Sequence, residues 1–487
     1  MPSRFLIHYA QAHHEFRLPE LQSVAELHDI SYKLPDDPKD RDPTRPFMVV
    51  ELESEEHARI LARRCILIKA VYEFYAKGST YEEVHRNNRQ SEHLWKRYVE
   101  DTSFRFLVTS SQHKIPQSRQ REVIESFSYM DFRGKIDMKT PDILLMCFEE
   151  YDEKPGTTRE RHEGDGDFRE VFFGRLIEEG TARQLVRTFD VKKRVYYGNT
   201  SMESEISLLM ANQTLASPGK FIYDPFMGTG SMAYPTGHFG ALVFGSDIDG
   251  RQMRGKQKVP GVLRAAQQYG IASRIVDLAT FDITINPWRC GDLFDAIVTD
   301  PPYGVRAGAK RLGRKRELSE RQKELCLMHS KSPRPDDQPY IPPTKPYELS
   351  HLATDLVLFS RYLLKPGGRL VFFLPTTDEY QEVDIYSMLC EGMEVIANSL
   401  QDFGSWGRRV RSDYSQAPLQ VLIIRIQLVT IKKTTSKQFP PPTFEPIQPS
   451  PDESAHVPAH RDFREKYFQG FKPKSNETSV AEEATTS

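Results

Sequence analysis

The segment Asp300-Pro301-Pro302-Tyr303 has the residue types and spacing that most clearly indicate chemistry. It follows the apolar run Ala296-Ile297-Val298-Thr299, which is typical of a buried parallel strand. Two prolines cannot join a strand ladder, so the chain must leave the sheet here, at the edge where open α/β sheets bind ligands. A turn after a strand explains the four residues taken alone. Beside a ligand, however, a carboxylate next to an aromatic ring suits a flat amine.

A glycine-rich segment, Asp224 to Ser231, follows a second strand signal, Phe221-Ile222-Tyr223. Gly228 and Gly230 would let the backbone approach a ligand closely, and their spacing also fits the loose dinucleotide fingerprint. Asp224 argues against a pyrophosphate, because a carboxylate repels phosphate and attracts a cationic ligand. S-adenosylmethionine fits this segment, since it carries an ammonium and a sulfonium but no phosphate.

Two further aspartates follow strand signals. Asp247 comes after the run Ala241 to Gly245 and lies 23 residues beyond Asp224, a spacing typical of a carboxylate that binds ribose hydroxyls. Asp282 follows a strand near Ile275-Val276 and is a candidate contact for the adenine amino group; capping the turn before Ile283 explains it equally well. The carboxyl ends of the strands before Asp224, Asp247 and Asp300 are expected to share one crevice.

These motifs carry a family resemblance. The order Asp-Pro-Phe-x-Gly-Thr-Gly-Ser, Gly-Ser-Asp-Ile-Asp and Asp-Pro-Pro-Tyr-Gly resembles class I methyltransferases that modify exocyclic amines of bases. Within the THUMP-containing members, Tyr196 to Glu203 and Gly245 to Met253 resemble the catalytic subunits of the eukaryotic tRNA methyltransferases that make N2-methylguanosine at position 10. The resemblance covers residues 1–430 and is densest over 187–305.

The resemblance implies roles for individual residues. Asp300 and the carbonyl of Pro301 would accept hydrogen bonds from the guanine N2 amine, and Tyr303 would stack on the extruded base. Asp224, Gly228 and Gly230 would lie around the methionine part of S-adenosylmethionine, with Asp247 on the ribose. In related enzymes a threonine like Thr200 touches the cofactor's methionine end. A capping box formed by Thr200 and Glu203 at a helix start explains Thr200 equally well.

The elements that must position these residues fall into four regions. The strand and helix signals Phe5–Tyr9, Leu18–Leu27, Phe47–Leu52, Glu55–Cys65, Lys69–Tyr75, Phe104–Thr109, Ser118–Phe127 and Ile143–Glu149 predict an α+β region over 1–155. By resemblance this region is a ferredoxin-like plus THUMP-type module that holds tRNA. Residues 156–186 are interpreted as a linker.

The α/β methyltransferase domain is expected over 187–430. By resemblance, its fold is Rossmann-like with a seven-stranded mixed sheet, and the β-rich segment Leu419–Ile426 is interpreted as a late strand of that sheet. A flexible basic and proline-rich insert is placed at 305–346; its basic run, 306–316, is either a solvated loop or a contact for tRNA phosphates. Residues 431–487 are interpreted as a mostly disordered tail.

Composition limits the class of protein. At 487 residues the chain can form two or three domains, and its net charge of -2 restricts any nucleic-acid surface to a local patch. Five scattered cysteines, without a Cys-x-x-Cys pair, predict a reduced, cytoplasmic compartment and no disulfide framework. No signal peptide, membrane span or metal site is indicated.

Three functions can be distinguished. The first is S-adenosylmethionine-dependent methylation of the N2 amine of a guanine in tRNA, with tRNA rather than DNA as substrate and, by resemblance, a small zinc-ribbon activator subunit as partner. The second is a DNA adenine or protein-glutamine methyltransferase, which shares the Asp-Pro-Pro-Tyr motif but not this N-terminal region. The third is a non-catalytic RNA-binding scaffold, which would not need Asp300 and Tyr303.

Overall fold

The chain does not divide into its two compact units at a single point. In this computed structural model, unit 1 comprises Met1–Arg194 with Glu203–Ala216, and unit 2 comprises Val195–Met202 with Ser217–Ser487. The structure describes residues 3–110, 113–151, 159–160, 169–302, 308–313, 319–321, 324, 343–377, 380–401, 425–444, 458–463 and 465. The division corrects the predicted domain start at 187, since residues 187–194 and 203–216 belong to unit 1.

Unit 1 is built on a seven-stranded sheet. The described strands of unit 1, seven in this sheet and two in a separate pair, are β1 (Ser3–Tyr9), β2 (Tyr32–Lys33), β3 (Phe47–Leu52), β4 (Ile68–Gly78), β5 (Phe104–Ser110), β6 (His113–Lys114), β7 (Ile143–Glu150), β8 (Arg159–Glu160) and β9 (Glu170–Glu179). The sheet order is β2-β3-β1-β4-β9-β7-β5, while β6 and β8 form a separate pair.

The helices of unit 1 alternate with these strands. They are α1 (Arg17–Leu27), α2 (Glu55–Arg64), α3 (Tyr81–Gln90), α4 (Glu92–Trp95), α5 (Gln117–Ser126), α6 (Leu185–Thr188) and α7 (Ser204–Gln213). Ser54 caps α2 by accepting a hydrogen bond from the His57 amide, as the preference for serine before a helix predicts. The elements predicted over Phe5–Tyr9, Leu18–Leu27, Phe47–Leu52, Glu55–Cys65 and Lys69–Tyr75 are present, and the short strand β2 between α1 and β3 makes their order β-α-β-β-α-β.

The predicted linker at 156–186 is wrong for its second half. β9 pairs antiparallel with both β4 and β7 and so lies inside the sheet of unit 1. Phe172 and Phe173 point to opposite faces of this strand, and each joins a different buried cluster. The charged residues on both sides of β9 hid this short apolar run in the sequence.

Unit 2 contains the predicted seven-stranded mixed sheet. Its strands are β10 (Phe221–Asp224), β11 (Leu242–Asp247), β12 (Ile275–Thr280), β13 (Phe294–Thr299), β16 (Leu364–Thr376), β17 (Met393–Gln401) and β18 (Arg425–Lys433), and the short pair β14 (Lys310–Leu312) and β15 (Thr344–Pro346) lies outside the sheet. The order is β12-β11-β10-β13-β16-β18-β17, and β18 runs antiparallel to both of its neighbours.

The helices of unit 2 are α8 (Ala233–His238), α9 (Gly250–Arg254), α10 (Gly261–Gln268), α11 (Leu349–Leu363) and α12 (Val383–Tyr386). The core lies between α11 and the central strands, where Tyr223, Phe294, Leu356 and Phe372 are buried together. Because these side chains must be buried on one face of the sheet, the register of the strands is fixed, and with it the positions of the strand ends. In the described parts of both units, no helix is both long and apolar enough to cross a membrane.

Two predictions about the later chain need correction. Residues 344–346 form β15, which pairs antiparallel with β14, so the insert at 305–346 contains ordered backbone at both of its described ends. The predicted disordered tail from 431 begins inside β18, and Phe444 packs against the core. The late strand covers Arg425–Lys433; the predicted residues 419–424, like 445–457 and 466–487 of the tail, lie outside the described residues.

Candidate active site

Three parallel strands of unit 2 end at one edge and bring three aspartates together. β10 lies between β11 and β13, and Asp224 is paired with Gly245, so β11 extends two residues further to Asp247. Asp300 follows directly after the last residue of β13. The charges of Asp247 and Asp300 both act on the Asp224 carboxyl group, so the three strand ends lie close together.

Asp224 is the most enclosed of the three aspartates, with only 1% of its surface exposed. Its Oδ1 accepts a hydrogen bond from Thr299 Oγ1 at 2.8 Å and another from the Phe226 amide at 3.0 Å. Burial, together with the charges of the two neighbouring carboxylates, raises the pKa of Asp224 to about 7, although the two hydrogen bonds lower it. A cation placed beside Asp224 would therefore be favourable, because it would stabilise the ionised form.

The glycine turn after β10 has a backbone conformation that favours glycine at two positions. Gly228 and Gly230 have φ angles of 50° and 83°, in the left-handed region that favours glycine. A Cβ atom on Gly230 would lie 2.8 Å from Tyr234 Oη, whereas one on Gly228 would have no neighbour nearer than 3.9 Å. Gly230 is therefore required by packing, and Gly228 leaves its backbone accessible to a ligand.

Asp247 joins the glycine turn to the end of β11. Its Oδ2 accepts a hydrogen bond from the Gly228 amide at 2.9 Å, and its Oδ1 accepts one from the Asp249 amide at 2.8 Å. Burial raises the pKa of Asp247. Because each carboxylate oxygen has two lone pairs, Asp247 can hold the turn and still accept hydrogen bonds from two ribose hydroxyls.

Asp282 has a local structural role. Its Oδ1 accepts hydrogen bonds from the amide and hydroxyl of Thr284, and its Oδ2 accepts one from the Leu312 amide in β14. The carboxylate therefore caps a turn and fixes β14 beside the site. The alternative role, a contact to the adenine amino group, stays a prediction.

The predicted capping box at Thr200 is wrong. Helix α7 begins at Ser204 with Glu203 at its N-cap and without a side-chain cap, and Thr200 is exposed. The next residue makes the contact instead: Ser201 Oγ lies 2.7 Å from Thr229 Oγ1 of the glycine turn. This contact was missed because Thr-x-x-Glu matches the capping pattern, whereas the partner of Ser201 is remote in sequence.

A second hydrogen bond joins the same segment to the turn. The Met202 amide donates to Ser231 Oγ at 3.0 Å. Residues 201 and 202 thus stabilise the glycine turn by hydrogen bonds, and no local signal in the sequence indicated them.

Around Asp300, Pro301 is buried and Asp300 is half-buried, while Tyr303 lies outside the described residues.

The site residues fit S-adenosylmethionine. The accessible Gly228 backbone gives room for a ligand, and Asp224 supplies a carboxylate whose ionised form would be stabilised by an ammonium group. Asp247 retains acceptor capacity for ribose hydroxyls. Among the described residues, no three His, Cys, Asp or Glu side chains are arranged to hold a metal ion.

Two family models match the chain. Residues 3–182 match the Tmrp11 THUMP N-terminal domain, and residues 192–324 match an RMKL-like methyltransferase domain. With the order and directions of the strands in unit 2, these matches define a class I methyltransferase that carries a THUMP-type N-terminal region.

Curated relatives identify the family more narrowly. The tRNA (guanine(10)-N(2))-methyltransferase of Saccharomyces cerevisiae is 36% identical over 84% of this chain and 92% of its own length. The enzyme of the same name from Schizosaccharomyces pombe is 32% identical over 96% of both chains, and the human relative is 30% identical over 96% of both. The chain belongs to the tRNA (guanine(10)-N(2))-methyltransferase family.

Proposed function

We propose that this protein is the catalytic subunit that methylates the exocyclic N2 amine of guanine 10 in tRNA, with S-adenosylmethionine as methyl donor. The observation that carries this proposal is the meeting of Asp224, Asp247 and Asp300 at the ends of three adjacent parallel strands. The names of the relatives, and their coverage of nearly the whole chain, support the choice of substrate.

The cofactor-binding residues follow from this geometry. We assign Asp224 to the ammonium group, Asp247 to the ribose hydroxyls, and the Gly228 and Gly230 backbone to the methionine part of the cofactor. Ser201 supports the glycine turn from behind. Contacts from Thr200 and Asp282 stay predictions. When bound, S-adenosylmethionine supplies an electrophilic methyl group on a sulfonium.

The task of the protein is to orient a poor nucleophile. The lone pair of the guanine N2 amine is conjugated with the ring, so it must be freed before it can attack. Asp300 and the Pro301 carbonyl would accept hydrogen bonds from this amine, which favours a tetrahedral nitrogen and holds it in line for attack. Tyr303 would stack on the extruded base and offset part of the unstacking cost of a few kcal/mol.

Asp300 also favours guanine over adenine. The Watson-Crick edge of guanine presents two adjacent donors, N1-H and N2-H, and an ionised carboxylate only accepts hydrogen bonds. Adenine presents a donor beside an acceptor, which suits an amide side chain better. The preference therefore follows from the hydrogen-bonding pattern and does not need contacts with the rest of the nucleotide.

The partners and location follow from the family. Unit 1 would hold the tRNA, and a small zinc-ribbon activator protein would assist unit 2. A cytoplasmic location is consistent with a tRNA substrate and with Cys65, Cys147, Cys290 and Cys390, which form no disulfide among the described residues.

The catalytic assignment is tested by replacing Asp300 with Ala. Asp300→Ala should lower the rate of methyl transfer to tRNA by at least about 100-fold, because it removes an acceptor that positions the amine. Cofactor affinity should change little, and Asp36→Ala, a control at an exposed carboxylate, should leave the rate unchanged. A wild-type rate in Asp300→Ala would show that the assignment is wrong.

The substrate assignment needs a separate test. Wild-type protein, assayed together with its activator subunit, should label tRNA but not DNA or protein when it is given isotopically labelled S-adenosylmethionine. A tRNA with inosine at position 10 lacks only the N2 amine and should accept no label there. Transfer to DNA or to a protein glutamine would favour the amine methyltransferases of other substrate classes, and failure to bind the cofactor would favour a scaffold.

A further inference from the structure

Residues 195–202, which we call the strap, lie across unit 2 and are attached at both ends. At one end the Val195 amide donates to Gln268 Oε1 of α10 at 2.9 Å. At the other end Ser201 contacts Thr229 and the Met202 amide donates to Ser231. The strap therefore connects the region of α10 with the glycine turn of the active site.

Tyr196 fixes the middle of the strap against the turn between α9 and α10. Its hydroxyl donates to the Gln252 carbonyl, and its ring lies against Gly255 and Gly261. A Cβ atom on these glycines would lie 2.8 Å and 2.5 Å from the ring, so both positions need glycine for the ring to fit. The strap and this turn thus form one continuous surface.

Three exposed cations lie at this turn, and we call them the basic loop: Arg254, Lys256 and Lys258. Residues 250–276 contain no Asp or Glu. Arg251 is neutralised by two hydrogen bonds to Asp249, but the basic loop has no carboxylate partner among the described residues. This part of unit 2 therefore carries local positive charge, although the whole chain is slightly acidic.

An exposed aromatic ring lies beside the basic loop. Tyr197 follows the docked Tyr196 and is 56% exposed. Gly198 comes next and packs against Thr229 of the glycine turn. Two residues of extended chain span at most about 7 Å, so the docking site of Tyr196 is close to the cofactor-binding turn. S-adenosylmethionine has no phosphate, so the cofactor does not explain the cations.

We propose that the basic loop and Tyr197 bind the RNA strand next to the target nucleotide. The cations would contact backbone phosphates, and the Tyr197 ring would stack on an unpaired base. Phosphate contacts fix the register of a nucleic acid and do not read its sequence, so this surface would position the substrate rather than select it. The inference rests on the proposed function, which supplies RNA as the polyanion.

The test compares two double variants of the full-length protein in tRNA binding at several salt concentrations. Lys256→Gln/Lys258→Gln should weaken binding by about 5- to 30-fold at 0.1 M salt and make the log-log salt slope less negative by about one to two. The matched control, Arg289→Gln/Lys437→Gln, removes two exposed charges of unit 2 that lie outside the basic loop and strap. It should change tRNA affinity by less than about 2-fold.

A second pair of variants tests the ring. Tyr197→Ala should weaken tRNA binding by about 5-fold or more, whereas Tyr197→Phe, which keeps the stacking face, should bind like wild type. Cofactor affinity, measured by calorimetry without RNA, should be unchanged in all of these variants. Equal affinities and salt slopes in the loop variant and its control would overturn the proposal.

Failure of the proposed function gives a different result. If wild-type protein, assayed together with its activator subunit, binds tRNA but does not methylate it, while the loop variant still loses tRNA affinity and salt dependence, the proposed surface is supported and the catalytic assignment is wrong. If methylation is normal and the loop and ring variants bind like wild type, the catalytic assignment stands and the surface falls.

Discussion

Replacing Asp224 with Asn should change how stability depends on pH. The folded protein holds a proton on Asp224 up to a pKa of about 7, whereas the unfolded chain releases it near 3.8. The wild-type protein therefore loses stability as pH rises through this window, and the loss is complete above pH 7. Because a tenfold change in a protonation equilibrium corresponds to roughly 1.4 kcal/mol, the full loss is up to about 4 kcal/mol.

Asp224→Asn has no proton to release and should lack this loss. Its free energy of unfolding relative to wild type should increase by about 2–3 kcal/mol between pH 5 and pH 8, and the difference should then level off. Any fixed effect of the amide on packing changes the stability equally at all pH values. Denaturant unfolding at a series of pH values measures the slope, and a constant difference would refute the assignment of a raised pKa to Asp224.

The same variant should also show whether cofactor binding depends on ionised Asp224. If the cofactor's ammonium pairs with ionised Asp224, about 10% of the protein can bind the cofactor at pH 6 and about 90% at pH 8. The affinity of the wild-type protein for the cofactor should therefore rise by roughly 10-fold between these pH values. Asp224→Asn should bind weakly at both values. Calorimetry with S-adenosylmethionine measures this change. Persistence of the full pH dependence in the variant would assign it to another group, such as Asp247.

Two further predictions concern packing. Gly228→Ala should cost about 1 kcal/mol of stability because of its left-handed backbone, and it should weaken cofactor binding by 10-fold or more. Gly230→Ala should destabilise the fold by roughly 2–3 kcal/mol, because its Cβ atom would meet Tyr234. Thermal unfolding measures the stability of both variants and calorimetry measures cofactor binding; equal losses of stability would contradict the difference in space around the two glycines. Asn212→Ala should lower the stability of unit 1 by about 2–3 kcal/mol, because it removes a hydrogen bond of 2.7 Å to the buried Glu20; a loss below about 0.5 kcal/mol in denaturant unfolding would contradict this.

Sequence patterns predicted the strands, and the position of the three aspartates at the strand ends, where local signals agree. Asp224, Asp247 and Asp300 were identified because each follows an apolar strand, and parallel strands place their carboxyl ends at one edge. Gly228 and Gly230 were identified from turn chemistry. The structure adds why the two glycines differ: only a Cβ atom on Gly230 would meet the side chain of Tyr234.

Contacts between distant segments could not be predicted. Ser201 contacts Thr229, a partner 28 residues away, and no periodicity shows such a pairing. Glu20 is one acidic residue on an ordinary helix in the sequence, yet its carboxylate accepts hydrogen bonds from the Ile66 and Leu67 amides and from Asn212. Burial raises its pKa to about 7. Tertiary structure alone determines this environment.

The return of the chain to unit 1 at residues 203–216 has a consequence for biosynthesis. All ten residues of α7 are buried, and Asn212 forms hydrogen bonds with both Glu20 and Arg64. On the ribosome, unit 1 therefore cannot complete its fold until residue 216 has emerged, although the last strand of its sheet ends at residue 179. A fragment ending at 194 would expose the surface that α7 covers, so dissection of the protein requires an N-terminal fragment that includes residue 216.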